Sequence, residues 1–203
     1  MNEEAARGWI AGRHGTDAAE RIAAFLDLVI AENTRQNLVS PASVNAIWSR
    51  HAADSAQLLG LVHAGWQSWI DIGTGGGFPG MVIALLAPER TVVMVEPRRK
   101  RAAFLDACVD ALDLPKASVV QARIEMVDQT ADVISARAVA SVENLLQAAG
   151  HCAKADTTWL LPRGSAAERD QASLAKLNPS MFHVEHSITD PQSTILVMKG
   201  RVR

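Results

Sequence analysis

The sequence has no tyrosine, and its aromatic residues amount to only 4%. One residue type that stacks on nucleic-acid bases is therefore missing. Cysteine is scarce too: Cys108 and Cys152 lie in helix-like stretches, without C-x-x-C spacing or clustered histidines. That excludes a disulfide framework and argues against a metal site, and both read as small buried thiols in a reducing compartment. No apolar run approaches the roughly 18 residues of a membrane span. The opening M-N-E-E-A-A-R-G has neither the basic flank nor the apolar stretch of a secretory signal, so a cytoplasmic location is expected. An excess of positive charge is also lacking. Twenty basic residues against 22 acidic ones give a net charge of −2. That argues against a general basic surface for gripping nucleic acid, but it does not exclude a local basic face.

The 203 residues are 48% hydrophobic, enough for one domain with a sizeable core. We expect a single unit, 1–203, made of a helical extension (1–64) and a Rossmann-like core (65–203). Ile22, Phe25, Leu26, Val29 and Ile30 follow the spacing of one buried helix face within 17–35. Asp17 with Glu20 resembles a capping box. Ser43 can cap a second helix carrying Val44, Ile47, Trp48, Leu58, Leu59 and Leu61, on which Arg50 and Asp54, and His51 and Ser55, share faces. From Trp69 onward, short apolar runs alternate with helical stretches, the mark of a parallel α/β sheet. The runs predict strands at 68–72, 91–95, 117–121, 131–135 and 157–161. Helices are predicted near 80–86, 98–112, 141–153 and 165–177. Two last strands, 181–187 and 193–199, are close enough to pair as an antiparallel hairpin. Trp48, Trp66, Trp69 and Trp159 sit among apolar residues and read as core rings.

The most informative stretch is W-I-D-I-G-T-G-G-G-F-P-G, Trp69 to Gly80, followed by an apolar run that ends on Glu96. Strand, glycine turn, helix, strand, acid is the form of a nucleotide-type cofactor site, with the acid placed for ribose hydroxyls. Two readings of the turn compete. Gly75, Gly77 and Gly80 fit the dinucleotide pattern G-x-G-x-x-G. Asp71 with Gly73, Gly75 and Gly77 fits the D-x-G-x-G-x-G loop of class I methyltransferases. Asp71 favours the second, because a carboxylate there repels a pyrophosphate but suits a cationic sulfonium ligand. Pro79 fits the first turn of a helix.

Further residues point to a family. Asn37-Leu38-Val39-Ser40, Arg50-His51-Ala52-Ala53-Asp54-Ser55, the Asp71–Gly80 loop, Lys100-Arg101 with Phe104-Leu105, and Ser135-Ala136-Arg137-Ala138 stand in this order. In order and spacing they resemble the N-L-T-S, R-H-x-x-D-S, D-x-G-S/T-G-x-G-F/L-P-G, K-R-x-x-F-L and S-R-A elements of the bacterial small-subunit rRNA guanine-N7 methyltransferases of the RsmG (GidB) type. The chain departs from them at Glu32, where an aromatic is common, and at Pro162-Arg163-Gly164, where Lys-Gly is common.

The resemblance implies a class I methyltransferase (Rossmann-like) fold: α/β, with a mostly parallel seven-stranded sheet, an antiparallel terminal hairpin and an N-terminal helical extension. It implies methyl transfer from S-adenosyl-L-methionine to N7 of guanine 527 in 16S rRNA, free or within the 30S subunit or an assembly intermediate, by a monomer without metal. Guanine N7 carries a lone pair and no proton, so no catalytic acid or base is required. Asp71, Gly73, Gly75, Gly77, Phe78, Glu96, Ile124, Glu125 and Arg137 become cofactor-site residues, with Arg137 also able to position the substrate. Arg50, His51, Arg98, Arg99, Lys100, Arg101 and Arg163 become RNA-facing candidates. Two other readings stay open: a class I methyltransferase acting on a small molecule or protein, and a non-catalytic nucleotide-binding protein.

Overall fold

Runs rich in valine and isoleucine become the strands, since branched side chains fit a pleated, buried surface. The computed structural model describes residues 1–137, 141–164 and 182–201. Its strands are β1 (Ser68–Ile72), β2 (Thr91–Val95), β3 (Ala117–Val120), β4 (Ala131–Ala136), β5 (Ala153–Arg163), β6 (Phe182–His186) and β7 (Thr194–Lys199). They form one seven-stranded sheet in the order β3-β2-β1-β4-β5-β7-β6. The pairs from β3 to β5 are parallel, whereas β7 runs antiparallel to both β5 and β6. The mostly parallel sheet and terminal hairpin read from the sequence are thus present. β5 starts at Ala153 rather than 157, because the helix before it, Val142–Ala149, ends early in a 3-10 turn, Gly150–Cys152.

Side chains alternate across the sheet and fill two cores. Trp69, Val92, Met94, Val133 and Leu160 pack with residues of α1 (Glu3–His14), α2 (Thr16–Asn33), α5 (Gly80–Leu86) and α6 (Arg99–Ala111). Ile70, Ile72, Val93, Val95 and Ile134 pack on the other face with α7 (Val142–Ala149). The N-terminal helices therefore share one apolar cluster with the sheet. Cys108, Cys152, Trp66, Trp69 and Trp159 are buried in these cores, and Trp48 is partly buried against the first. No described helix is long and apolar enough to cross a membrane.

The N-terminal region departs from expectation in three ways. α1 is an additional helix, capped by Asn2, whose Oδ1 accepts the Ala5 N–H at 2.8 Å. Only Gly15, at φ 93°, separates it from α2 and serves as its N-cap, so the Asp17 capping box does not form; Ile30, on the expected stripe, is 40% exposed. The second expected helix is broken into α3 (Pro41–Val44), a π-helical turn (Trp48–Ala53), α4 (Asp54–Ala56) and a 3-10 turn (Gln57–Leu61). The Glu3 carboxylate explains the restart. It accepts the N–H groups of Trp48 and Ser49, both at 2.9 Å, and so caps the second half from a distance. The expected helix at 165–177 lies outside the described residues.

Asp132, at the amino end of the sheet, ties three strands together. Its Oδ2 accepts the N–H groups of Gln67 (2.7 Å) and Ser68 (3.0 Å), and its Oδ1 meets Lys154 Nζ at 2.5 Å. Burial alone would raise this carboxyl, but the Lys154 ammonium and the N–H donors outweigh it and hold it down to about 2. A depressed carboxyl contributes stability that is complete above its unfolded value, about 3.9, and fades as pH falls through the folded value. Thermal unfolding should therefore show a loss of melting temperature between about pH 5 and pH 2. Asp132→Asn should shrink that loss. A variant whose melting temperature falls as steeply as the wild type's would remove Asp132 from this role.

Candidate active site

The site lies beyond the carboxyl ends of β1, β2 and β4, the usual binding position in a parallel sheet. The turn after β1 is tied down from below. Asp71 is fully buried, and strand register sets it beside Ser135 of β4. Its Oδ1 accepts the Ser135 hydroxyl at 2.6 Å, and its Oδ2 accepts the Gly80 N–H at 2.9 Å. Ser135 in turn accepts the Trp69 indole N–H at 2.8 Å. Burial pushes the Asp71 carboxyl up to about 6, although Ser135, Gly80 and nearby Arg137 favour its charged form. The loop thus rests on a carboxylate that is ionised above that value.

The glycines of this loop do different work. Gly75, at φ 60°, takes a left-handed conformation, and its N–H donates to Glu96 Oε2 at 2.9 Å. Gly77, at φ 95°, packs inward: a Cβ there would sit 2.7 Å from Phe25 Cζ. Its bare backbone lets the loop pack closely on α2 and α6. Glu96 is 3% exposed, and its second oxygen accepts the Arg98 N–H at 2.8 Å. Pro79 stands just ahead of α5, one position before the expected first turn.

Two cavities open here. One, of about 340 Å³, is lined by Gly73, Gly75, Phe78, Glu96, Arg98 and Arg101, among others. Leu38 covers it, held by Asn33, whose Oδ1 accepts the N–H groups of Leu38 (2.8 Å) and Val39 (3.0 Å). Arg101 closes the rim by donating to the Asn37 carbonyl at 2.7 Å. The other cavity, of about 520 Å³, is lined by Arg50, His51, Asp54, Pro162 and Arg163, with Ser193 and Thr194 of the hairpin. Leu38 and Arg137 line both cavities. The guanidinium of Arg137 therefore stands at their boundary, over the Phe78 ring at 5.6 Å.

Arg137 is held from the π-helical side. It donates to the Arg50 carbonyl at 3.1 Å, stands 2.7 Å from His51 Nδ1 and lies 3.6 Å from Asp54 Oδ2. Burial, with Arg137 and Arg50 close by, pushes His51 down to about 3, so the imidazole is neutral. Its ring packs on Phe78 at 4.8 Å.

The structure brings together Gly73, Gly75, Phe78, Glu96, Arg98, Arg101 and Arg137 at the first cavity, and Arg50, His51 and Arg163 at the second. Others fall elsewhere. Asp71 lies beneath the loop and does not line either cavity. Ile124 is buried in the second core and Glu125 is exposed, in a 3-10 turn beyond β3, and neither lines the cavities. Arg99 and Lys100 face solvent at the start of α6. Sequence reasoning had missed Leu38, Asp54 and Ser135 as members of the site. Each stands inside one of the short motifs, which was the available signal.

Comparison with known proteins identifies the family and the fold. The family model described as rRNA small subunit methyltransferase G matches residues 18–195. The chain is 43% identical to ribosomal RNA small subunit methyltransferase G of Erythrobacter litoralis, over 99% of this chain and 98% of that one. It is 44% identical to the protein of that name from Sphingopyxis alaskensis, over 99% and 88%. Among solved structures, cofactor-bound Rv0187 from MTB superposes with a TM-score of 0.67 at 16% identity, covering 98% of this chain and 97% of that one. An O-methyltransferase from Bacillus cereus in complex with SAH gives a TM-score of 0.60, also at 16% identity, over 87% and 90%. These two share the class I methyltransferase fold with this chain. The sequence matches extend through the loop, the Arg50–Ser55 turn and the Arg137 strand end, and the chain belongs to the rRNA small subunit methyltransferase G family.

Proposed function

We propose that this methyltransferase moves the methyl group of S-adenosyl-L-methionine to N7 of guanine 527 in 16S rRNA, acting in the cytoplasm on the 30S subunit or an assembly intermediate. The observation that carries this reading is the meeting of two cavities at Arg137. The smaller one fits the cofactor. Each Glu96 oxygen has one N–H partner, and a carboxylate oxygen accepts two, so both can still accept from a ribose diol. The glycine loop presents backbone rather than side chains to the methionine part, and Phe78 packs beside it. The adenine end is assigned toward the turn Ile124–Met126, beyond Val120, whose carbonyl accepts the Glu96 N–H at 3.1 Å.

When bound, the cofactor supplies an activated methyl on a sulfonium. The residues of this chain need only bring the acceptor into line. Glu96, Phe78 and the glycine loop would hold the donor so that the N7 lone pair could take the methyl, the C–S electron pair staying on sulfur and the base leaving as a cation. No proton moves at N7, which is why a neutral His51 is compatible with the chemistry. Alignment alone contributes several kcal/mol, about 7–11 at the extreme. The larger cavity, edged by Arg50 and Arg163, takes the nucleotide and its phosphates.

Three outcomes test this reading. Glu96→Gln should weaken binding of S-adenosylhomocysteine by about tenfold, since a charge-assisted bond is lost. Calorimetry that finds unchanged affinity would take Glu96 out of the site. S-adenosylmethionine, being cationic, favours ionised Asp71, so its affinity should fall as pH drops below about 6, and Asp71→Asn should flatten that profile. A wild-type profile already flat across pH 5–7 would count against the charge argument. Finally, nucleoside mass analysis of 16S rRNA from cells lacking the protein should show loss of one 7-methylguanosine. Unchanged 7-methylguanosine would redirect the search to a small molecule or protein acceptor.

A further inference from the structure

The guanidinium of Arg137 has only donors to offer, so the 2.7 Å contact with His51 makes Nδ1 the acceptor and leaves the ring proton on Nε2. That assignment agrees with an imidazole kept neutral by burial and by two neighbouring arginines. The turn that presents His51 is itself fixed. The Ser55 hydroxyl donates to the His51 carbonyl at 2.6 Å. Asp54 Oδ1 accepts from Gln57 Nε2 (2.8 Å), Ser187 Oγ (3.0 Å) and Thr189 Oγ1 (3.1 Å). Its Oδ2 is the oxygen that faces Arg137, at 3.6 Å. The β6–β7 connection and the N-terminal helical layer therefore converge on one side chain at the end of β4. A π-helical turn suits this, because π-bulges recur at functional sites and project their groups differently from an α-helix.

We propose that the π-helical turn bearing Arg50 and His51, with Asp54 at the start of α4, is the holder that sets Arg137 across the boundary of the two cavities, with His51 and Asp54 as positioning residues for methyl transfer. The catalytic part of this inference rests on the function proposed above; the holding part does not. Two physical needs are met. The first is geometric: three contacts on one guanidinium fix its plane against Phe78. The second is electrostatic. A bare guanidinium would repel a sulfonium across the boundary, and Asp54 offsets that charge. During transfer the positive charge passes from the sulfur to the alkylated base. Asp54 lines the larger cavity and not the smaller one, so it stands on the side to which the charge moves.

The test uses the full chain with His51→Phe, His51→Asn and Asp54→Asn, and 30S subunits from a strain lacking the modification. Phenylalanine keeps the packing on Phe78 but offers no acceptor, whereas the asparagine amide oxygen can take the place of Nδ1. His51→Phe and Asp54→Asn should lower kcat about a hundredfold while KM for the methyl donor stays near the wild-type value. His51→Asn should regain a large part of that loss. Equal losses in His51→Asn and His51→Phe, or losses carried by KM alone, would overturn the proposal. The guanidinium NMR signals of Arg137, assigned with Arg137→Lys, give a readout free of substrate. They should exchange slowly with water in the wild type and His51→Asn and be lost in His51→Phe. Signals unchanged in His51→Phe would overturn the holder. Those shifts in a protein whose wild type methylates no 30S subunits would uphold it and reject the substrate.

Discussion

One buried carboxylate organises this site. Asp71 closes β1, takes the hydroxyl of Ser135 on the neighbouring strand and caps the first N–H of the following helix. The glycine loop therefore cannot shift without disturbing β4, and β4 leads directly into Arg137, two residues past Ser135. Burying a charge is costly unless hydrogen bonds compensate. Here they compensate only in part, since the carboxyl stays well above its ordinary value. A hydrophobic residue would suit the core better. What the carboxylate adds is a fixed link between the donor cavity and the strand end at its rim.

The proposed chemistry needs no proton transfer, and the groups around the two cavities are held by hydrogen bonds. His51 is neutral, Glu96 accepts backbone N–H groups on both oxygens, and the Arg137 guanidinium offers only donors. Alkylation of an unprotonated nitrogen asks for alignment and charge balance, and the proposed roles of these residues are of that kind. The polar groups at the boundary are held by backbone or by each other, so little reorganisation is required when the partners meet. Net charge fits this picture as well. A protein with a balanced overall charge can still place Arg50, Arg98, Arg101 and Arg163 around the two openings.

Much of the core was legible because its signals are local. Valine-rich runs, the glycine turn and Glu96 at a strand end are each short patterns with one physical meaning, and the parallel character of the sheet followed from their alternation with helices. The N-terminal layer was less legible because its determinants are distant. Nothing near Trp48 announces that Glu3 will cap it, so a broken helix read as a continuous one. α1 escaped notice because alanine and charge dominate it, which weakens the apolar stripe. Arg137 was readable as a strand-end cation, but its partners were not, since they lie in a turn far away in sequence. The three glycines looked equivalent in the motif and proved different, because only packing shows that Gly77 faces Phe25. Asp71 was legible as the acid of the motif, but its bonds to Ser135 and Gly80 follow only from strand register and the turn.

The central claim is that donor and acceptor occupy adjoining cavities separated by one held arginine. A crystal structure of the protein with S-adenosylhomocysteine tests it most directly. The account predicts the ribose hydroxyls on Glu96, with the sulfur beside Phe78 and directed toward Arg137. Ligand found in the larger cavity, or bound in the smaller one with its sulfur turned away from Arg137, would contradict it.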